Sequence, residues 1–186
     1  MIFRLVVVVV TLATAQAAYG QAQPAMTMHR TQAGELDSSG WTVARSTEGG
    51  FTVRFPLPFN DFTVAESKPD SPTGKMFVVG AKSVEGLKIT AVRITYRKAD
   101  GAAAYFAKIG RGEGLQTKPQ SIKAVTASGR KAVDLQLSAS SAVSYSRYVL
   151  LDSDIIVMTV EAPVAHRSTA ETLAPTLFES LAVERR

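Results

Sequence analysis

The chain has 186 residues, of which 46% are hydrophobic and 20% are charged, and its formal net charge is +5. These values are typical of one compact globular domain and exclude wholesale disorder. Because the sequence contains no cysteine, disulfide bonds, thiolate metal ligands and a nucleophilic thiol are also excluded.

The first 20 residues have the pattern of a secretory signal peptide. Arg4 precedes an apolar run over residues 5–10, and small residues then lead to a polar segment that begins at Gln21. This order predicts a leader that is cleaved after Gly20. An uncleaved anchor is the weaker alternative, because the apolar run is shorter than the roughly 20 residues that cross a bilayer. We therefore expect an exported protein, periplasmic or secreted, with no membrane span after cleavage.

The segment that follows the leader is polar and has no sustained apolar period. Pro24, Gly34 and a pair of serines interrupt residues 21–40, which predicts a flexible lead-in. A single folded domain is expected to span residues 41–186.

Alternating apolar and polar residues predict strands in the first part of this domain. Proline ends one of them at Pro56, because its nitrogen cannot donate to a ladder. The pair Glu85 and Gly86 predicts a hairpin turn. The predicted strands cover residues 41–46, 51–55, 62–65, 76–81 and 87–96.

The last of these strands has apolar residues in both phases of the alternation. Leu87, Ile89 and Ala91 share one phase, whereas Val92 and Ile94 fall in the other. Either a β-bulge near Ala91 or burial of both faces would explain the pattern.

Two amphipathic helices are predicted, one central and one C-terminal. Asp100 is placed to cap a helix over residues 101–109. Ser168 and Glu171 have the spacing of a capping box at the start of the second helix. Pro175 either kinks this helix or begins its regular part.

Four more strands are predicted between the two helices, separated by turn signals. The order of strands, helix, strands and helix lacks the strict alternation of a parallel sheet. It predicts an α+β fold in which a central antiparallel β-sheet is flanked by two helices. The four strands cover residues 122–126, 132–137, 143–151 and 155–160.

This arrangement resembles a known superfamily. Residues 50–56 (Gly-Phe-Thr-Val-Arg-Phe-Pro), the central helix, the hairpin strands and a final helix with residues 177–181 (Leu-Phe-Glu-Ser-Leu) resemble the PsbP-like superfamily over most of residues 41–183. That superfamily includes an extrinsic subunit of photosystem II and many exported bacterial proteins of unknown role. The resemblance implies an α/β/α sandwich that serves as a non-catalytic accessory or interaction module. It rests on core positions and carries over no functional residue.

Candidate catalytic residues are few. A Ser-His-Asp hydrolase would need His166, oriented by Asp152 or Asp154, and one of the serines as nucleophile. No Gly-x-Ser-x-Gly elbow marks a serine, so the sequence favours a protein that is not an enzyme. A divergent hydrolase is the least favoured alternative.

Metal, phosphate and ligand sites have simpler explanations in the sequence. A hairpin turn explains Asp152 and Asp154 better than a calcium loop does. The glycines of residues 110–114 follow a helix, whereas phosphate loops precede one. A small-molecule carrier with a pocket near Tyr105 and Phe106 is the alternative function, and no cofactor is predicted. Core packing explains a further set of aromatic residues better than a ligand cage does: Trp41, Phe51, Phe55, Phe106 and Phe178.

Basic residues cluster on one predicted hairpin. If they converge, they form a face for an acidic protein, a phospholipid head group or a cell-wall polyanion. The alternative is a solvated sheet edge on which lysines prevent unwanted strand pairing. Aromatic residues do not interleave with these charges, which argues against nucleic acid. The cluster contains Lys118, Lys123, Arg130 and Lys131, and a second group contains Arg93, Arg97 and Lys98.

The sequence therefore predicts an exported, non-catalytic accessory or interaction module that binds a protein or an envelope component. An outward apolar patch would favour this function, whereas a concave internal cavity would favour the carrier.

Overall fold

Short apolar and polar repeats fold most of the described chain into strands. The computed structural model describes residues 25–30, 38–66, 68 and 70–184, so the predicted leader at residues 1–20 lies outside the described residues. The elements in chain order are β1 (Ala25–Arg30), β2 (Thr42–Ser46), β3 (Phe51–Phe55), β4 (Asn60–Ala65), β5 (Thr73–Lys82), β6 (Lys88–Tyr96), α1 (Gly101–Gly110), β7 (Ser121–Ala127), β8 (Arg130–Ser138), β9 (Ala142–Leu150), β10 (Asp154–Pro163), a 3₁₀ turn (Val164–His166), α2 (Arg167–Glu179) and β11 (Ala182–Val183).

The described strands form two sheets. The larger sheet has the order β1-β4-β5-β6-β10-β9-β8-β7, and the smaller has the order β11-β3-β2. Neighbouring strands are antiparallel throughout both sheets. The predicted antiparallel sheet with two helices is therefore confirmed.

Adjacent residues of the large sheet contribute to two separate apolar clusters. Ala132 of β8 belongs to the larger cluster, which includes Leu177 of α2 and Phe51 of the small sheet. Its neighbour Val133 belongs to the smaller cluster, with Ile109 of α1. Successive strand residues point to opposite faces, so adjacent residues of β8 belong to different clusters.

A buried ion pair connects the two sheets. Arg93 on β6 donates from Nε to Asp154 Oδ2 on β10 at 2.8 Å, and from Nη1 to the carbonyl oxygen of Gly49 at 2.9 Å. The Arg93 and Asp154 side chains are only 10% and 9% exposed. Arg93 is therefore an internal tie, and its placement in a surface basic group with Arg97 and Lys98 is wrong.

β1 contradicts part of the flexible lead-in predicted for residues 21–40. It pairs antiparallel with β4, with a register shift between Met28 and Arg30. Met26 and Met28 are 60% and 44% exposed, so β1 has no buried apolar face that a periodicity argument could detect. Its order comes from the backbone ladder to β4.

β6 has no bulge near Ala91. Its register against β5 and β10 runs without interruption through Ala91. Ile89 and Ala91 are fully buried on one face, and Val92 and Ile94 are partly buried on the other. The second explanation, burial of both faces, therefore holds fully for one face and only in part for the other.

Both helices begin without the predicted side-chain caps. Asp100 occupies the N-cap position of α1, but its side chain makes no capping hydrogen bond. α2 begins at Arg167, and Glu171 accepts a hydrogen bond from the Tyr145 hydroxyl at 2.7 Å instead of closing a capping box. Because α2 starts well before Pro175, the alternative in which regular helix begins at that proline is also wrong.

Candidate functional site

The register of the large sheet aligns apolar side chains into rows that cross several strands. Cross-strand partners point to the same face of a sheet. Phe62 on β4 is opposite Met28 on β1 and Val78 on β5, and Val78 is in turn opposite Val92 on β6. A neighbouring row on the same face contains Met26, Val64, Met76 and Ile94.

Helix α1 packs on this face toward β8 and β9. Ile109 of α1 is buried with Val133 and Leu135 of β8, and Tyr148 of β9 packs against them. The helix also contacts β6, β7 and β10. A ten-residue helix is about 15 Å long, so it covers only part of an eight-stranded sheet.

The same face is open to solvent toward β1. Met26 and Met28 are 60% and 44% exposed. Val78, farther from β1, is buried, whereas four other apolar side chains of these rows are only partly buried: Phe62, Val64, Met76 and Val92. These side chains belong neither to the two buried clusters nor to the residues packed against those clusters. The core therefore does not require them to be apolar. We name this surface the open face: Met26, Met28, Phe62, Val64, Met76 and Val92.

The opposite face of β1 and β4 is polar and internally bonded. His29 Nε2 lies 2.8 Å from Thr63 Oγ1, and Thr63 donates a hydrogen bond to Glu48 Oε2 at 3.2 Å. Asp61, which is fully buried, accepts from the backbone nitrogen of Thr47 at 2.8 Å. The contact between His29 and Thr63 attaches β1 to β4, and the other two attach β4 to the turn between β2 and β3.

The residues considered for a hydrolase are far apart. Asp154 begins β10, whereas His166 follows its end. A strand rises about 3.3 Å per residue, so these two residues are on the order of 30 Å apart. Asp152 lies in the turn next to Asp154 and is equally remote, and Asp154 is bound to Arg93. The structure does not bring a triad together.

Metal and phosphate sites gain no support from the described residues. No cluster of three or more histidine, aspartate or glutamate residues suited to a metal ion occurs in the part of the chain that the structure describes. In the exit of α1, Gly112 and Gly114 have φ angles of +71° and +76°. Arg111 and Glu113 form an ion pair there at 2.6 Å. Interpretation of this loop as a helix exit is confirmed.

The space beside Tyr105 and Phe106 is occupied by neighbouring side chains. The Tyr105 ring lies 6.0 Å from the Tyr96 ring and 6.5 Å from the Tyr148 ring. Phe106 packs against the cluster that contains Ile109. Burial raises the pKa of all three tyrosines, to about 12 for Tyr148. These aromatic residues stabilise α1 against the sheet.

The five aromatic residues considered as a ligand cage lie in different places. Phe51, Phe55 and Phe178 belong to the larger cluster, whereas Phe106 packs against the smaller one. Trp41 lies under the Arg54 guanidinium, 5.9 Å from its ring centroid. Core packing, as the sequence indicates, explains four of the five.

The basic residues of the predicted hairpin are exposed or half-buried but do not share one face. Lys118 precedes β7, Lys123 lies on β7, and Arg130 and Lys131 begin β8. Lys123 and Arg130 point to one face of the sheet, because their register partners Asp134 and Ala127 do so. Lys131 is adjacent to Arg130 and points to the other face.

Comparisons with known proteins found similar folds only. No protein-family model matches the chain, and no curated protein matches it. No helix among the described residues is long and apolar enough to cross a membrane.

Two solved structures are similar to the chain at low sequence identity. One is LpqN of Mycobacterium tuberculosis, described as involved in cell envelope biogenesis, with 13% identity and a TM-score of 0.45 over 88% of this chain and 93% of that one. The other is the solution structure of cyanobacterial PsbP (CyanoP) from Synechocystis sp. PCC 6803, with 11% identity and a TM-score of 0.49 over 81% of this chain and 96% of that one. One of these two structures is therefore a PsbP, a member of the superfamily that the sequence pattern resembles.

Proposed function

We propose that this chain is an exported, non-catalytic accessory or interaction module that binds a partner protein, or another envelope component, through the open face. The leader pattern of residues 1–20 supports export. The open face supports binding, because a contiguous apolar surface on a soluble domain commonly marks an interaction site. Three of its six members are methionines, whose flexible side chains adapt to different apolar partners.

The proposal includes an α/β/α arrangement of layers. Because Ala132 of β8 belongs to the cluster that contains Leu177 of α2, and the adjacent Val133 belongs to the cluster that contains Ile109 of α1, we place the two helices on opposite faces of the large sheet. The open face is then the part of the sheet surface on the α1 side that α1 does not cover. A partner segment lying beside α1 would complete that layer and bury apolar surface that is now exposed.

The carrier is the weaker alternative, because the apolar surface points outward. The side chains between α1 and the sheet pack on one another around Ile109. Another concave surface, a groove of about 410 Å³ between β3 and α2, is open to solvent rather than enclosed, and it is lined by Arg54, Pro175, Thr176, Glu179 and Ser180. Neither place resembles the enclosed apolar pocket that a carrier uses.

Site-specific photo-crosslinking tests the docking surface. A photoreactive amino acid at Met28 should give a discrete adduct in cells that produce the protein from its own gene. The same group at Val84, which is 98% exposed and lies in the β5–β6 turn, is the matched control and should not give that adduct. Identical adducts at both positions would contradict a partner at the open face, and adducts with lipid alone would contradict a protein partner.

Native mass spectrometry of the protein purified gently from its envelope fraction tests export and the carrier alternative. A chain mass that begins at Gln21, alone or with a partner subunit, supports the proposal. A retained small molecule would favour the carrier. Turnover of any substrate that is lost on altering His166 or Asp154 would contradict a non-catalytic role.

A further inference from the structure

The outer edge of β7 ends the larger sheet on the side opposite β1. Among the described residues β7 pairs only with β8, over a register that runs from Ser121 opposite Gln136 to Ala127 opposite Arg130 without a shift. Its free edge therefore presents alternate backbone N–H and C=O groups. β1 at the other edge differs, because a register shift interrupts it. Irregularities of that kind protect sheet edges from further pairing.

The hairpin of β7 and β8 carries positive charge that the described residues do not neutralise. The described ion pairs include none of the four basic residues on or beside this hairpin. Its one acidic residue, Asp134, is bound by Arg147 through two hydrogen bonds of 2.7 and 2.9 Å. The four basic residues are Lys118, Lys123, Arg130 and Lys131.

These charges lie on both faces of the β7–β8 hairpin. Lys123 and Arg130 point to one face of the sheet, and Lys131 points to the other. A flat anionic surface such as a bilayer would meet only one side. An extended strand presents its side chains alternately to both faces, so it can meet both groups of charges.

The geometry points to β7 as a docking edge for an extended acidic segment of a partner protein, which adds to the large sheet as an outer strand. Main-chain hydrogen bonds would supply affinity, and acidic side chains on both faces would supply selectivity. A second copy of this chain is disfavoured there, because pairing β7 with itself would bring like charges together. This inference goes beyond the proposed function, since β7 and the open face lie toward opposite edges of the sheet.

Hydrogen exchange with a synthetic probe tests strand addition. The probe is a short peptide of glutamate and valine with glutamates on both faces of its extended form. On binding, amides of β7 that point away from β8 should exchange at least about tenfold more slowly, whereas β1 amides should not change. A peptide with lysine in place of glutamate should not bind to the same protein, and added salt should weaken the glutamate peptide.

Charge-reversal variants distinguish peptide binding at the β7 edge from general attraction between opposite charges. Lys123→Glu combined with Arg130→Glu should weaken the peptide at least about tenfold, whereas Lys82→Glu, an exposed lysine on β5, should change binding less than about twofold. Binding without protection of β7 amides would overturn strand addition. Absence of peptide binding, with anionic vesicles bound instead, would also overturn it. Neither result affects crosslinking at Met28, which tests the open face separately.

Discussion

Arg147 is the residue that joins α2 to the large sheet by charge. Its guanidinium binds both oxygens of Asp134 on β8, donates to Glu179 of α2 at 2.6 Å and lies 5.0 Å from the ring centroid of Phe178. The hydrogen bonds to Asp134 are the first cause of its raised pKa. The two carboxylates that bind Arg147 differ greatly in exposure: the Asp134 side chain is 27% exposed and the Glu179 side chain is 74% exposed.

This difference predicts unequal effects of substitution. Arg147→Met should lower the free energy of unfolding by about 2 to 3 kcal/mol, because it leaves Asp134 half-buried without its partner. Glu179→Gln should cost less than about 0.5 kcal/mol, as exposed ion pairs do. Urea unfolding of both variants checks this. Equal losses would show that the bond to α2, rather than the pair within the sheet, carries the stability.

Tyr148 gives the domain a predicted sensitivity to alkaline pH. Burial raises its pKa from 10.0 to about 12, so the folded state holds the phenol proton more tightly than the unfolded state does. This stabilisation is complete below about pH 10 and is lost as the pH rises toward about 12. At about pH 11 the loss is on the order of 1 kcal/mol.

Comparison with Tyr148→Phe isolates that effect from other groups that titrate at high pH. Urea unfolding at about pH 8 and about pH 11 should show a smaller alkaline loss in the variant than in the unaltered protein. The same loss in both proteins would exclude this phenol as the cause. The two proteins have the same lysines and arginines, so the contribution of these residues to the loss of stability cancels when the two proteins are compared.

At the scale of elements, the turn between β2 and β3 is fixed by close packing. A Cβ added at Gly49 would come within 2.8 Å of Phe77 Cβ and 2.7 Å of Phe51 Cε1, and the Gly49 carbonyl also accepts from Arg93. Gly49→Ala should therefore destabilise the domain by about 1 to 3 kcal/mol through overpacking.

Gly80 supplies the matched control within a strand. A Cβ there would meet Thr90 Cγ2 at 3.4 Å, which is an ordinary contact, so Gly80→Ala should be neutral or slightly stabilising. Thermal unfolding of the two variants distinguishes the sites. A loss at Gly80 as large as that at Gly49 would show that the close contact with Phe77 is not what makes Gly49 sensitive.

The elements that the sequence predicts are those with strong local patterns. β2 and β3 alternate buried residues without interruption, and Gly86 takes the positive φ of +88° that its turn position indicates. β1 was missed because its pairing partner lies elsewhere in the chain. The predicted capping box of α2 is wrong because Glu171 instead accepts a hydrogen bond from Tyr145, a residue of β9.

The spacing of residues along the sequence does not show which residues of the candidate sites lie together in the fold. Arg93 and Asp154 are 61 residues apart, so a charge on a strand end could not be recognised as an internal ion pair. The four basic residues of the hairpin were identified, but their division between two faces required the register of β7 against β8. The open face required the order of β1, β4 and β5 in the sheet.

At the scale of the whole molecule, the sheet is wider than the layer that covers one of its faces. The larger apolar cluster contains residues of α2 and of the small sheet, whereas the cluster that contains Ile109 of α1 is smaller. The apolar side chains of the open face therefore contribute little to burial in the isolated domain. Their energetic role is expected to appear when a partner covers them.

Because the open face contributes little to burial, a substitution there should lower surface hydrophobicity with little loss of stability. Met28→Glu should reduce the fluorescence of an apolar dye bound to the folded protein at least about twofold, yet lower the free energy of unfolding by less than about 1 kcal/mol, because Met28 is 44% exposed and outside the core. Val84→Glu, at a more exposed but isolated position, should change neither quantity. A large loss of stability in Met28→Glu would mean that the open face is part of the folded core, and an unchanged dye signal would mean that the exposed apolar surface lies elsewhere.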